Sequence, residues 1–126
     1  MVSIALITEG VTDQLIIKPI IESYYKDIDF RFKPIRPLVD ETDMQTSFGN
    51  WYNVICACKE ESFTEIFSYN DFIVVQIDAD VSQEPHFDVP HIEAGQQIEN
   101  KRLCENIITK LISLIPDEVW KKYNLG

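Results

Sequence analysis

Residues 2–14 read VSIALITEGVTDQ, and this stretch decides the fold. Val2 to Thr8 is a nearly unbroken apolar run with two β-branched isoleucines, the pattern of a short strand covered on both faces and so of a parallel sheet. The run stops at the carboxylate of Glu9, Gly10 permits a sharp turn, and Thr12 or Asp13 can cap a helix. That helix is expected to reach about Tyr25, with Leu15, Ile16, Pro19, Ile20 and Tyr24 near one face. Pro19 lies beyond the first turn and lacks an amide donor, which predicts a kink or a restart near Lys18.

The same rhythm continues along the chain. Phe30 to Val39 (FRFKPIRPLV) alternates apolar with basic or proline positions, as a strand near a sheet edge does. Asp40 to Gly49 reads as a polar loop, and its acids Asp40, Glu41 and Asp43 as solvated. From the cap at Asn50, Trp51, Val54, Ile55, Cys58, Ile66 and Phe67 mark a helix to about Ser68, weak in the middle at Glu60 to Ser62. Phe72 to Ile77 (FIVVQI) is a third strand that stops at Asp78-Ala79-Asp80. Val81 to Gly95 is a loop holding His86 and His91, and Ile98 to Ile115 repeats at helical spacing. Pro116 ends that helix and can start a last short turn, PDEVWKKY. Strand and helix alternate, so crossovers are right-handed and the fold class is α/β, a Rossmann-like three-layer sandwich with a mainly parallel central sheet.

With 126 residues, 45% of them hydrophobic, the whole of residues 1–126 is read as a single domain with a real core. Eleven basic against 21 acidic residues give a net charge of −10, which excludes tight unaided binding to nucleic acid. No apolar run approaches the roughly 20 residues of a membrane span, and no secretory leader is visible, so a cytoplasmic location is expected. Cys56, Cys58 and Cys104 suit neither a disulfide framework nor a zinc knuckle and are read as reduced, mostly buried thiols. His86 and His91 lack the cysteine partners of a zinc site, and Trp51, Tyr52, Phe63 and Phe67 stand at core spacing.

In open parallel sheets, sites form beyond the carboxyl ends of the strands. Glu9 follows the first strand, and Asp78 and Asp80 follow the third. If those strands are neighbours, their carboxylates converge, each raising the pKa of the next, and a hard divalent cation resolves the conflict. With the chain still extended at Asp78 and Asp80, both side chains would leave the sheet on one side. Singly, each motif has a plainer reading: acids in a first helical turn suit the dipole, and Asp-x-Asp also occurs in ordinary turns.

Glu9-Gly10-x-x-Asp13 after a first strand, with Asp78-x-Asp80 after a later strand of the same sheet, resembles the Toprim domain. This catalytic module is shared by primases, topoisomerases, recombination proteins and the OLD-like nucleases of phage defence, and ITEGVTDQLIIKPII looks most like the nuclease branch. The resemblance covers about residues 1–115. It implies Mg²⁺- or Mn²⁺-dependent phosphodiester hydrolysis, with Glu9 as general acid, base or metal ligand, Asp78 and Asp80 holding the metal, and Asp13 assisting a second ion. A full Toprim core has a fourth strand that is not visible here, so the chain reads as a fragment, a minimal variant or a domain completed by a partner. Lys18, Lys101 and Arg102 are candidates for the basic residue that such nucleases use. The acidic charge implies a basic protein partner or a homodimer groove for holding nucleic acid. Two other readings compete: a non-catalytic interaction or signalling module with a Toprim-like shell, and a receiver-like phosphoacceptor, whose strand-end lysine and five strands are missing.

Overall fold

A computed structural model describes residues 1–36, 50–60 and 62–123. The first strand, β1 (Val2–Ile7), leads through Thr8-Glu9-Gly10 into α1 (Val11–Tyr24), and the chain returns as β2 (Phe30–Arg36). Two short helices follow, α2 (Asn50–Lys59) and α3 (Ser62–Ser68), separated where the sequence is weak. After β3 (Phe72–Val75) the chain makes a 3-10 turn at Ala79–Val81 and a two-residue-per-strand hairpin, β4 (Ile92–Glu93) and β5 (Gln96–Gln97). Helices α4 (Asn100–Leu114) and α5 (Asp117–Tyr123) complete the described chain. The expected polar loop with Asp40, Glu41 and Asp43, and the end of the second predicted strand, lie outside the described residues.

The three main strands form one sheet in the order β2-β1-β3, parallel throughout. The central strand is therefore the one with the most continuous apolar run, and Ile4, Ala5, Leu6 and Ile7 are all buried. β2 lies at an edge of the described sheet, where Pro34 is tolerated. Its register slips by one residue between the Leu6–Pro34 and Ile7–Arg36 pairs, a bulge that sets Arg36 rather than Ile35 opposite Ile7. One sheet face, with Ile7, Ile35, Ile73 and Val75, packs against Val54, Ala57, Cys58, Phe63 and Val119 of α2, α3 and α5. A second core joins α2 to α4 through Trp51, Ile55, Leu103 and Ile107, with Phe87 and Val89 inserted between them. Each fully buried aliphatic or aromatic side chain in these clusters stabilises the fold by about 1.5–3 kcal/mol.

Several expectations are corrected. Helix α1 runs unbroken through Pro19. Pro19 and Leu15 are both exposed, so the carbonyl of Leu15 that loses its amide partner faces water. The helix turns its most apolar face outward: Leu15, Ile16, Ile20 and Tyr24 are exposed at 62%, 54%, 51% and 81%, whereas Gln14 is buried at 1%. Gln14 goes inside because its amide donates to the Arg36 carbonyl at the end of β2, 3.3 Å away. The N-cap of α1 is Gly10, not Thr12 or Asp13. The loop predicted for Val81 to Gly95 contains a hairpin, whose Ala94-Gly95 corner has φ of 53° and 78°, the signature of a type I′ turn. Of the three free cysteines Cys58 is buried, Cys56 is half-buried and Cys104 is exposed. Among the described residues no helix is long and apolar enough to cross a membrane.

Candidate functional site

Adjacency of β1 and β3 brings Glu9 beside Asp78. The ladder between the strands continues past their formal ends, with the Gln76 amide donating to the Ile7 carbonyl at 2.8 Å. From there side chains take over the pairing. The Glu9 amide donates to Gln76 Oε1 at 3.1 Å, and the Asp78 amide donates to Glu9 Oε2 at 2.8 Å. Glu9 is thus clamped to the β3 end through both its backbone and its carboxylate, a reciprocal link between positions 67 and 69 residues apart in sequence.

The turn after β1 is equally determined. The Thr8 amide donates to the Arg36 carbonyl at 2.7 Å, and the buried Thr8 hydroxyl donates to the Gly10 carbonyl at 2.9 Å. Asp13, in the first turn of α1, reaches back so that its Oδ2 accepts the Gly10 amide at 3.0 Å. This is half of a capping box, which satisfies one of the amides a helix start leaves over. A Cβ at Gly10 would come within 3.3 Å of Asp13 Oδ2, so a side chain there would press on the capping carboxylate.

Asp78 and Asp80 sit differently from the extended-chain expectation. Asp78 is the last extended residue, and its Oδ1 accepts the Asp80 amide at 2.9 Å. Asp80 lies inside the 3-10 turn, so the two carboxylates are not displayed side by side as on a strand. Short acidic side chains favour this local closure over continued pairing, and nothing in the Asp-x-Asp pattern alone distinguishes the two.

Electrostatically the centre of the group is Glu9. Its carboxyl is held above its ordinary value of 4.5, first by burial and then by the charges of Asp78 and Asp13, while the hydrogen bonds from the Asp78 amide and Gln76 act the other way. Glu9 therefore feels both Asp78 and Asp13, and Asp80 is tied to Asp78 through its amide. Among the described residues, no three His, Cys, Asp or Glu side chains are grouped so as to hold a metal ion. The arrangement instead offers a pair, Glu9 with Asp78, in which Asp78 Oδ2 is not engaged by these bonds. Magnesium needs only one or two carboxylates when water and substrate oxygens fill its remaining positions, so hard oxygen donors of this number and kind fit it.

The histidines have separate partners: the His86 ring lies edge-on to Tyr52 at 5.8 Å, and His91 contacts Ala79 and Ser82. Of the basic candidates, Lys18 is half-buried on α1, Lys101 is exposed at the start of α4, and Arg102 lies 3.5 Å from Glu93 in an exposed pair. Sequence reasoning passed over Arg36. It ends β2, the other neighbour of β1, so its backbone adjoins the same carboxyl-terminal edge. Its guanidinium donates to the Ile35 carbonyl at 3.0 Å and stands 3.7 Å from Glu60, a half-exposed pair of little energetic weight. Only the bulge in β2 puts it there, and a one-residue bulge leaves no mark in the alternation of FRFKPIR.

A cavity of about 380 Å³, lined by Val2, Ile4, Ile21, Tyr25, Phe30 and Phe72 among others, opens at the amino-terminal ends of the strands. It lies at the opposite end of the sheet from the acids and has no place in their chemistry. No protein-family profile, no curated protein and no solved structure matches this chain. The fold and the site thus define an α/β protein with a three-stranded parallel sheet and an acidic carboxyl-terminal edge.

Proposed function

We propose that this chain is a Toprim-like, divalent-metal-dependent phosphodiesterase acting on nucleic acid, or the catalytic subunit of one. The observation that carries the reading is the bond from the Asp78 amide to Glu9 Oε2, which joins the acids after the first and third strands across adjacent parallel strands. The Toprim resemblance itself rests on the two short motifs, and the three-layer architecture with helices on both sheet faces belongs to the same proposal.

Mg²⁺ or Mn²⁺ would be held by the Glu9–Asp78 pair, with water and substrate oxygens completing its shell and Asp13 and Asp80 adding negative charge nearby, and would polarise the scissile phosphate and lower the pKa of a bound water. Burial of Glu9 beside two like charges keeps its proton affinity high, which suits a group that exchanges a proton with water or a leaving oxygen. Gln76 and the Asp78 amide orient it. Arg36, ending the strand on the other side, is the nearest basic residue in the sheet to that edge and would meet the phosphate. Since the chain carries a net charge of −10, nucleic acid is retained with the help of a basic protein partner or a homodimer groove. A role in phage defence follows from the resemblance alone.

One observation favours a second reading, a non-catalytic interaction or signalling module. Glu9, Asp13 and Asp78 each accept a backbone amide, and caps of that kind hold a turn together without any metal. Titration with Mn²⁺ separates the two. The phosphodiesterase binds Mn²⁺ through groups removed in the Asp78→Ala, Asp80→Ala double variant and cleaves single-stranded DNA, duplex DNA or RNA. Wild-type protein that binds no Mn²⁺ refutes the metal site, and binding without cleavage of any of the three substrates selects the module.

A further inference from the structure

The turn that carries Asp78 and Asp80 is held at its start by Glu9; what holds its far end is His91. The Ala79 carbonyl accepts two bonds, one from the Ser82 amide at 3.1 Å that closes the 3-10 turn from within, and one with His91 Nε2 at 3.0 Å. His91 Nε2 also lies 2.8 Å from Ser82 Oγ, and Ser82 Oγ is 2.9 Å from the Val89 carbonyl. Chemistry assigns the hydrogens between these atoms, with the single Nε2 hydrogen shared between the Ala79 carbonyl and Ser82 Oγ. A carbonyl can only accept, so the Ser82 hydroxyl donates its one hydrogen to Val89, and Nε2 must carry a hydrogen to reach Ala79 and be accepted by Ser82.

The support extends outward. Ser82 is fully buried, the Val89 amide returns to the Ser82 carbonyl at 2.8 Å, and the His91 carbonyl accepts the Ile98 amide at 2.8 Å. Phe87 and Val89 anchor the same segment in the core between α2 and α4. The imidazole is therefore placed by a packed loop and not by its own conformational preference.

We propose that His91 is a positioning residue: it fixes the Asp78–Asp80 turn through the Ala79 carbonyl, and its effect on metal binding rests on the function proposed above. Glutamine can put an amide N–H close to where Nε2 sits, whereas asparagine is too short and alanine has no donor. In His91→Ala and His91→Asn, the backbone amides of Asp80 and Ser82 shift in the NMR spectrum and exchange with solvent at least about 10-fold faster, while His91→Gln stays close to wild type. Mn²⁺ affinity falls about 10-fold in the first two and is restored in the third, the size usual for outer-shell partners of a ligand. Equal losses in all three variants, or unchanged Asp80 and Ser82 amides in His91→Ala, overturn the proposal. Should His91→Ala not fold, the ring nitrogens of wild-type His91 above pH 8 decide: Nε2 protonated and Nδ1 bare supports it, and the opposite tautomer overturns it. If wild-type protein binds no Mn²⁺, the metal reading fails by itself, and the amide comparison still judges His91.

Discussion

Replacing Phe87 with alanine measures whether the segment between β3 and α4 is a packed part of the molecule. Phe87 has no exposed surface, its ring lies 5.6 Å from that of Trp51, and it shares a cluster with Val89, Ile98, Leu103 and Ile107. A buried aromatic side chain removes about 150–250 Å² from water. At about 25 cal/mol per Å² that is worth about 4–6 kcal/mol. Alanine keeps one carbon of the side chain, and the neighbours relax only in part, so the expected loss is about 3–5 kcal/mol. Urea unfolding followed by tryptophan fluorescence should show a lower midpoint with unchanged slope. The loss is capped if the segment opens on its own, and hydrogen exchange at the Val89 and Ile98 amides then reports the opening directly. A loss below about 1 kcal/mol with both amides still protected would refute the packing argument, and with it the idea that the core positions His91.

Other consequences can be checked alongside. Because the folded state holds the Glu9 proton more tightly than an unfolded chain does, this residue's contribution is fully present below about pH 4.5 and is lost as pH rises through its higher folded value. Glu9→Gln should therefore gain stability relative to wild type between pH 4 and 7 in metal-free, low-salt buffer, and Mn²⁺ should reverse the order; denaturation midpoints across that range test it. Burial pushes the Cys58 thiol up to about 11, so at pH 8 a thiol reagent should modify exposed Cys104 quickly and Cys58 only on unfolding, which peptide mapping would show. Ala94→Gly relieves a left-handed residue at φ 53° and should raise stability by about 0.5–1 kcal/mol, whereas Gly95→Ala, at φ 78°, should lower it; thermal melts distinguish them. Ile16→Lys with Ile20→Glu, on the exposed face of α1, should change stability by less than about 0.5 kcal/mol per site while reducing binding of a hydrophobic dye.

The parallel sheet was legible because a strand buried on both faces must be apolar at successive positions, and VSIALI and FIVV are. That the two strands adjoin was legible only as a condition, since strand order depends on how the intervening 64 residues between Ile7 and Phe72 pack. That the apolar face of α1 points outward was not legible, for a definite reason. Periodicity identifies an apolar face but not whether anything covers it, and here one hydrogen bond from Gln14 turns the polar side inward. The Asp-x-Asp turn was misread because a capping hydrogen bond within three residues competes with strand extension at no cost in composition. That Arg36 lies at the same sheet edge as the acids and that His91 contacts their turn was not legible, because each owes its place to contacts spanning the chain: a register slip in β2 for one, and the Ala79 carbonyl for the other.

The strand order also governs biosynthesis. β1, the middle of the sheet, is the first strand to be made, and β3, which covers one of its edges, is the last of the three. Until Phe72–Val75 emerges, VSIALI can pair on one side only, and until α2 and α3 are formed its Ile7 face lacks a cover. A nascent chain of this kind offers an apolar strand edge for about as long as it takes to synthesise the 64 residues between Ile7 and Phe72, an interval in which mispairing with other chains competes with folding. Slow translation before residue 72 should therefore lower the yield of soluble protein more than slow translation after it.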